Sequence, residues 1–452
     1  MVNLYLQPPM PKRLLLLFEY SAAIATLILC SGGPITVILT DGFSQGDQVA
    51  NQPDFAIMRH LFLLTYVIFF SLLVLRWKKV VYVFQQSPWV LLLFLFPPIS
   101  LLWSVDPGIT FQRSIAIVGS GLLGVYLASR FTLKQQLYLL ALTCGIIVVL
   151  SGAYALLLPK YGIMGGVHTG AWRGIYTHKN TLGKVMVLCA TTFLLLLGSD
   201  KRLRVLAVLG LAASIILLVL SASKTAMINC LVMVLVIGII HVLRLYYKVM
   251  VVALVGIVTV IGFGLLWTAV NAEDILLSLG KDVTLTGRTD IWQFALSKIQ
   301  ERPLLGYGYQ AFWQGWGSEA QDAWLREGWR VPHAHNGFLD LALELGLIGL
   351  VCFLAIFVVT GMRRLRDVKV HVGSEHILPI VVMVYLVMAN LTESSLMKRN
   401  DLLWVLFVTT SLSTPMVTEI KPKNKLSGPS QHSLYAMPPM SSPAIVSTRR
   451  RR

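Results

Sequence analysis

Charge is what this chain has least of. Asp, Glu, Lys and Arg together make up 13% of its 452 residues, about half the share usual in a soluble domain. That shortage excludes an ordinary water-soluble globule. In its place stand apolar runs of about 15 to 23 residues, long enough to cross a bilayer as helices. Cysteine is scarce too: there are five, and none forms a CxxC pair. A disulfide framework or a zinc ribbon is therefore excluded. Cys30, Cys144, Cys189, Cys230 and Cys352 lie in or beside apolar runs and read as small buried hydrophobes. Acidic residues are the third shortage, 21 against 38 Lys and Arg, for a net charge of +17. In a soluble protein that excess would point to nucleic acid. In a membrane chain it marks the cytoplasmic loops, and no nucleic-acid partner is expected. The first apolar run, from Leu14, lacks a convincing cleavage site and reads as a helix rather than a signal peptide.

The pattern predicts an all-α polytopic membrane protein with about twelve transmembrane helices. The expected spans are 14–31, 60–75, 88–103, 113–129, 136–158, 181–197, 203–220, 224–243, 249–269, 337–360, 376–393 and 401–414. The third is interrupted by Pro97-Pro98 and the last is short. With Lys12 and Arg13 in the cytoplasm, alternation places Arg76/Lys78/Lys79, Arg130/Lys134, Lys201/Arg202/Arg204, Arg244/Lys248 and Arg363/Arg364/Arg366/Lys369 there as well. Both termini are then cytoplasmic. The exception is Lys398-Arg399, in an expected outer loop.

One segment departs from the apolar background. Residues 270–336 carry eight acidic and six basic residues and five Trp, ending in Pro332-His333-Ala334-His335-Asn336. The alternation puts this loop outside. The chain thus divides into 1–269 (spans one to nine), 270–336 (a long, partly helical periplasmic loop), 337–414 (spans ten to twelve) and 415–452. The last, rich in Ser, Pro and basic residues, reads as a disordered cytoplasmic tail near anionic lipid.

Four polar clusters fall on the outer face: Trp172–Asn180, Ser221–Lys224, Thr286–Trp292 and His333–Asn336. Cations and imidazoles on one face suit an anion together with a proton acceptor. Arg288 precedes Thr289, a candidate N-cap, and Ile291, Trp292, Ala295, Leu296 and Ile299 follow at helical spacing before Pro303. A guanidinium beside a helix N-terminus suits phosphate, and a loop-surface pair with Asp290 or Asp282 is the plainer alternative. Arg173 lies in a Gly-rich loop that can bend around a ligand, or anchors at the interface with Trp172. His335 can take a proton from a hydroxyl near neutral pH. His333 and His335 make a His-x-His pair, but no further Cys or His lies nearby for a metal. His178 and Lys224, at helix mouths, either contact substrate or snorkel to the interface. Trp313, Trp316, Trp324 and Trp329 suit sugar stacking, an interfacial belt or a small packed cap.

The run His335-Asn336, nine residues, then Gly346-Leu347-Ile348-Gly349 resembles the signature of the O-antigen ligase and polymerase superfamily. So, in the same order, do Arg173-Gly-x-Tyr-x-His-Lys-Asn-x-Leu-Gly183, Ser221-x-Ser-Lys-Thr-Ala226, Gly287-Arg288-Thr-x-Ile-Trp292 and Pro303-Leu-Leu-Gly-Tyr-Gly308. The resemblance implies a GT-C-like glycosyltransferase working outside the bacterial cytoplasmic (inner) membrane, without metal or other cofactor. Its implied donor is a polyprenyl-diphosphate-linked glycan, and its acceptor is another glycan or lipid A core. Membrane lipids, a flippase and a chain-length regulator are the other implied partners. By matching motif, Arg173 and Arg288 would hold the diphosphate and His335 would act as base. His178, Lys224, His333 and Asn336 are candidate substrate contacts. Polymerase and ligase readings share this site, with exopolysaccharide or O-antigen polymerisation preferred. A small-solute transporter, for inorganic carbon, is the alternative from another class, although transporters place ionisable residues at mid-membrane and show inverted repeats.

Overall fold

The computed structural model describes residues 10–43, 55–243, 246–270, 287–314, 317–327, 331–371 and 373–414. Helices dominate them. The one β feature among them is an isolated bridge between Ile163 and Trp172. Eight helices are long and apolar enough to cross a membrane: Ala56–Val74, Pro107–Arg130, Leu133–Leu157, Lys179–Ser199, Lys201–Leu220, Lys224–Val242, Tyr247–Gly264 and Gly337–Val370. This is an integral membrane protein. The other four expected spans fall short of that length. Leu14–Cys30, Ser374–Asn390 and Leu402–Leu412 are shorter apolar helices, and Trp77–Gln86 and Val90–Leu102 form a pair bent by 99°. The proposed tail, 415–452, lies outside the described residues, as do 271–286 of the long loop.

Two expectations about breaks need correction. Pro97 and Pro98 do not interrupt their helix, which runs Val90–Ile99 and tightens into a 3-10 turn at Ser100–Leu102. Ser100 Oγ donates to Pro97 O at 2.7 Å there. The bend lies earlier, where Trp77–Gln86 ends at Ser87. The second break falls inside Gly337–Val370. Gly346, at φ 66° and ψ −175°, divides a short leading helix from the long apolar one.

Burial sorts the helices. In the apolar window of Lys201–Leu220 22% is buried, against 72% for Lys179–Ser199, so the former faces outward and the latter is central. Every residue of Leu402–Leu412 is buried. Eleven residues rise only about 16 Å, far short of a bilayer core of about 30 Å. The preceding connection, 391–401, supplies the missing depth. Asn400 N donates to Ser120 Oγ at 3.2 Å, and Tyr66 donates to Asn400 Oδ1. Both partners lie near the middle of long helices. Irregular backbone at that depth is tolerated where protein surrounds it.

Hydrogen bonds divide the connections between two ends of the bundle. At one, Glu19 pairs with Arg76 at 2.6 Å and Arg130 at 2.9 Å, Arg363 donates to Gln86 O at 2.6 Å, and Gln136 donates to Ser413 Oγ at 3.0 Å. The other gathers Arg173, Asn180, Ser223, Trp292 and His335, described below. The Glu19 carboxylate is 1% exposed. Glu19→Ala strands two guanidiniums, so a loss of about 3–5 kcal/mol is expected. Thermal unfolding of the purified protein measures it, and a shift no larger than that of Leu14→Ala, which is exposed, would refute the pairing.

Candidate functional site

The break at Gly346 organises the site. It releases two carbonyls and two amides from the helical ladder, and the Pro303–Gly308 strap takes all four. Tyr307 N donates to Leu343 O at 2.8 Å and Gly308 N to Glu344 O at 2.9 Å, while Leu347 N donates to Pro303 O at 2.8 Å and Ile348 N to Leu304 O at 3.2 Å. Two motifs distant in the pattern are thus one structural unit. The strap's other edge is fixed to residues 103–110. Trp103 Nε1 donates to Leu305 O at 2.8 Å, Val105 N to Tyr307 O at 3.0 Å and Thr110 Oγ1 to Tyr309 O at 3.2 Å.

Above this unit the loop builds a small core of its own. Ile291, Trp292, Phe294, Phe312 and Trp324 cluster with Val331, Ala334 and Leu343. Trp313 and Trp324 direct their indole N–H groups to Asp340 Oδ1 at 2.7 Å and Val331 O at 2.9 Å. A packed cap is therefore the role of both. Trp316 and Trp329 lie outside the described residues. The Gly287–Glu301 helix begins before Thr289, which consequently sits in its first turn rather than at the N-cap.

That cap holds the histidine turn. Ala334 is gripped from both sides: its N–H donates to Asp340 Oδ1 at 3.0 Å, and its carbonyl accepts from Trp292 Nε1 at 2.8 Å. His335 then adopts φ 52°, a left-handed conformation uncommon for a residue with a side chain. His333 Nδ1 accepts from His335 N at 3.1 Å and supports that turn. Asn336 caps the following helix, its Oδ1 accepting from Phe338 N at 3.0 Å and Leu339 N at 3.3 Å. Gly337 matters by its size: a Cβ there would lie 2.1 Å from Asn390 Oδ1. The resulting close approach brings Glu393 to His335, with Oε2 3.9 Å from Nδ1.

The first two motifs arrive at the same end. His178 Nδ1 accepts from Asn180 N at 3.1 Å and caps Lys179–Ser199. Ser223 Oγ donates to Asn180 Oδ1 at 3.1 Å. Gly183 permits the contact, since a Cβ there would lie 2.8 Å from Ala226 Cβ. Asn180, Lys184, Ser223, Thr225, Asn229 and Glu393 are among the residues lining a small pocket. Glu393 thus links that pocket to His335. Lys224, exposed at its helix start, is not among the residues lining it.

The two expected diphosphate arginines fare differently. Arg173 is 4% exposed. Its Nε donates to Tyr161 O at 2.8 Å, one Nη to Lys160 O at 2.7 Å and the other to Gly42 O. Its guanidinium clamps two loops, and a contact with diphosphate would require some of those carbonyls to let go. The Arg288 side chain lies outside the described residues.

Sequence reasoning missed a cavity at this end. It holds about 290 Å³ beside the histidine turn, between Arg113, Gln310, Trp313, Glu344, Lys398 and Arg399. It also missed Glu393, which supplies the third donor atom that the His-x-His pair lacked. One ligand atom from each of His333, His335 and Glu393 lies within 4.8 Å of the others, a set able to take a divalent cation. The turn opposes that use. While His333 Nδ1 accepts from His335 N, its neutral ring carries its proton on Nε2, leaving no lone pair for a metal.

Residues 209–354 match the model of the O-antigen ligase family. Over 320 residues the chain is 28% identical to the exopolysaccharide production protein ExoQ of Rhizobium meliloti, a stretch covering 67% of this chain and 70% of that protein. A 73-residue stretch is 42% identical to a protein named "Putative polysaccharide ligase" in Rickettsia conorii, covering 15% of this chain and 18% of the other. In Rickettsia felis a protein of the same name is 36% identical over 86 residues, 18% of this chain and 21% of its own length.

Proposed function

The chain belongs to the O-antigen ligase and polymerase superfamily, and on that footing we propose that it polymerises polyprenyl-diphosphate-linked oligosaccharide repeat units on the outer face of the bacterial inner membrane. One observation carries the reading. The second of the two histidines, the Asn180–Lys184 turn and the Ser221–Lys224 turn meet around Glu393 at a single end of the bundle. That end is the periplasmic one in this reading, with both termini cytoplasmic.

In the proposed reaction an acceptor hydroxyl attacks the anomeric carbon of the donor. The C–O bond to the diphosphate breaks with inversion, and the hydroxyl proton passes to His335. Glu393 faces Nδ1, which favours the tautomer with its proton there and leaves Nε2 to accept. Arg288 neutralises the leaving diphosphate, a form of stabilisation that usually contributes most. Arg173 would join it only by releasing some of the carbonyls it clamps. The reaction needs no cofactor.

The relative aligned over two thirds of the chain is named for exopolysaccharide production, which favours polymerase over ligase. The ligase reading draws on the shorter matches to polysaccharide ligases. A strain deleted for the gene and complemented with wild type or Arg288→Ala decides. A ladder of chain lengths with wild type supports polymerase, and a single attachment step supports ligase. Normal glycan from Arg288→Ala, with abundance confirmed, removes that residue from the site.

A further inference from the structure

Lys398 and Arg399 broke the charge rule in the sequence, standing on the side where basic residues are few. The dipping 391–401 connection carries them into the cavity beside the histidine turn. Arg113 enters the same cavity from the Pro107–Arg130 helix. We propose that this cavity is the acceptor subsite, and that it recognises an anionic group, carboxylate or phosphate, carried by the acceptor glycan. The assignment of an acceptor rests on the transferase reading above; the anion site itself does not.

The cations are held in advance of any guest. Gln310, at φ 53°, accepts from Arg113 Nη1 through its carbonyl and from Arg399 Nε through Oε1, the latter at 3.1 Å. Arg113 Nη2 is steadied by Gln314 Oε1 at 3.0 Å. One residue in a strained conformation therefore aims two guanidiniums. Such strain collects where function needs a fixed arrangement.

The donors facing the cavity are unspent. Among the described residues, neither Nη of Arg399 nor the Lys398 ammonium has a hydrogen-bond acceptor. Two carboxylates, Asp340 and Glu344, stand in the same wall, yet none of the three cations is within ion-pair distance of either. The Asp340 oxygens are occupied by Trp313, Ala334 and Ser394. Three cations presented together, with the Lys398 ammonium and both Nη groups of Arg399 still to be satisfied, match an anion better than a neutral sugar. At about 290 Å³ the space is near the lower end for small-molecule sites. The position favours the acceptor. A base must lie beside the hydroxyl it deprotonates, and His333 of the catalytic turn is part of this wall.

Calorimetry on the purified full-length protein, titrated separately with sodium glucuronate and inorganic phosphate, tests the anion site. Wild type should bind at least one, Arg399→Gln should bind it about 10–100-fold more weakly, and Arg399→Lys should retain most of the affinity. Which anion binds tells carboxylate from phosphate. Binding of neither by wild type, or equal binding by Arg399→Gln, overturns the site. Transfer assays then test the acceptor role. Lys398→Gln should raise KM for acceptors bearing the preferred anion more than it raises KM for the donor; a rise in donor KM alone overturns the acceptor assignment. Should wild type bind the anion yet transfer no glycan from a polyprenyl-diphosphate donor, the anion site stands and the transferase reading falls.

Discussion

Gly346→Ala should remove most of the folded protein from the membrane. At φ 66° and ψ −175° this residue occupies a region that is almost glycine-only, and forcing another residue there costs about 1–3 kcal/mol. The added methyl would also stand 2.1 Å from Leu304 O and 2.5 Å from Leu305 N. Those are backbone atoms of the strap and cannot swing aside as a side chain would. Overpacking adds about 1–3 kcal/mol. Membrane abundance and thermal unfolding check the result. Gly165→Ala, where a Cβ would meet nothing within 4 Å, should be nearly silent. Equal stability of the two variants would show that the helix is not broken at Gly346.

His335→Asn should separate stability from activity. Its φ of 52° is a conformation that Asn tolerates better than most residues, so the variant should be at least as abundant and as stable as wild type. Yet the amide cannot take up the acceptor's proton. Loss of a general base costs typically 10²–10⁴-fold, and polymer should fall below detection. Normal polymer from a stable His335→Asn protein would dismiss His335 as base and leave the turn as architecture only.

Much of the fold was legible because bilayer thickness leaves little freedom: apolar runs between basic connections had to become helices. The shortfalls have physical causes. Leu402–Leu412 and Leu378–Asn390 are short because the segment between them dips inward, and hydropathy carries no signal for depth. Pro97-Pro98 looked like a break, yet the helix simply tightens there. At the site, His335 was visible because it directly precedes an apolar run. Glu393, Arg113 and Glu344 belong to none of the motifs, and only packing assembles them. A signal for part of the cavity did exist. Lys398-Arg399 departs from the expected distribution of positive charge, and both residues line the cavity. Arg173 taught the reverse lesson: an arginine in a matching motif spends its visible donors on neighbouring carbonyls.

The strap between Pro303 and Gly308 has a consequence for how such chains diverge. It fastens the entry of the cap, and the grip of Asp340 and Trp292 on Ala334 fastens the exit. What lies between, roughly Tyr309 to Pro332, starts and finishes at anchored points. Within it Gln310, Trp313 and Trp324 are tied down as well, by Arg113, Asp340 and Val331, so length can change only between those ties. On the polymerase reading, specificity for one repeat unit over another would then be set in those intervals, apart from the chemistry beneath.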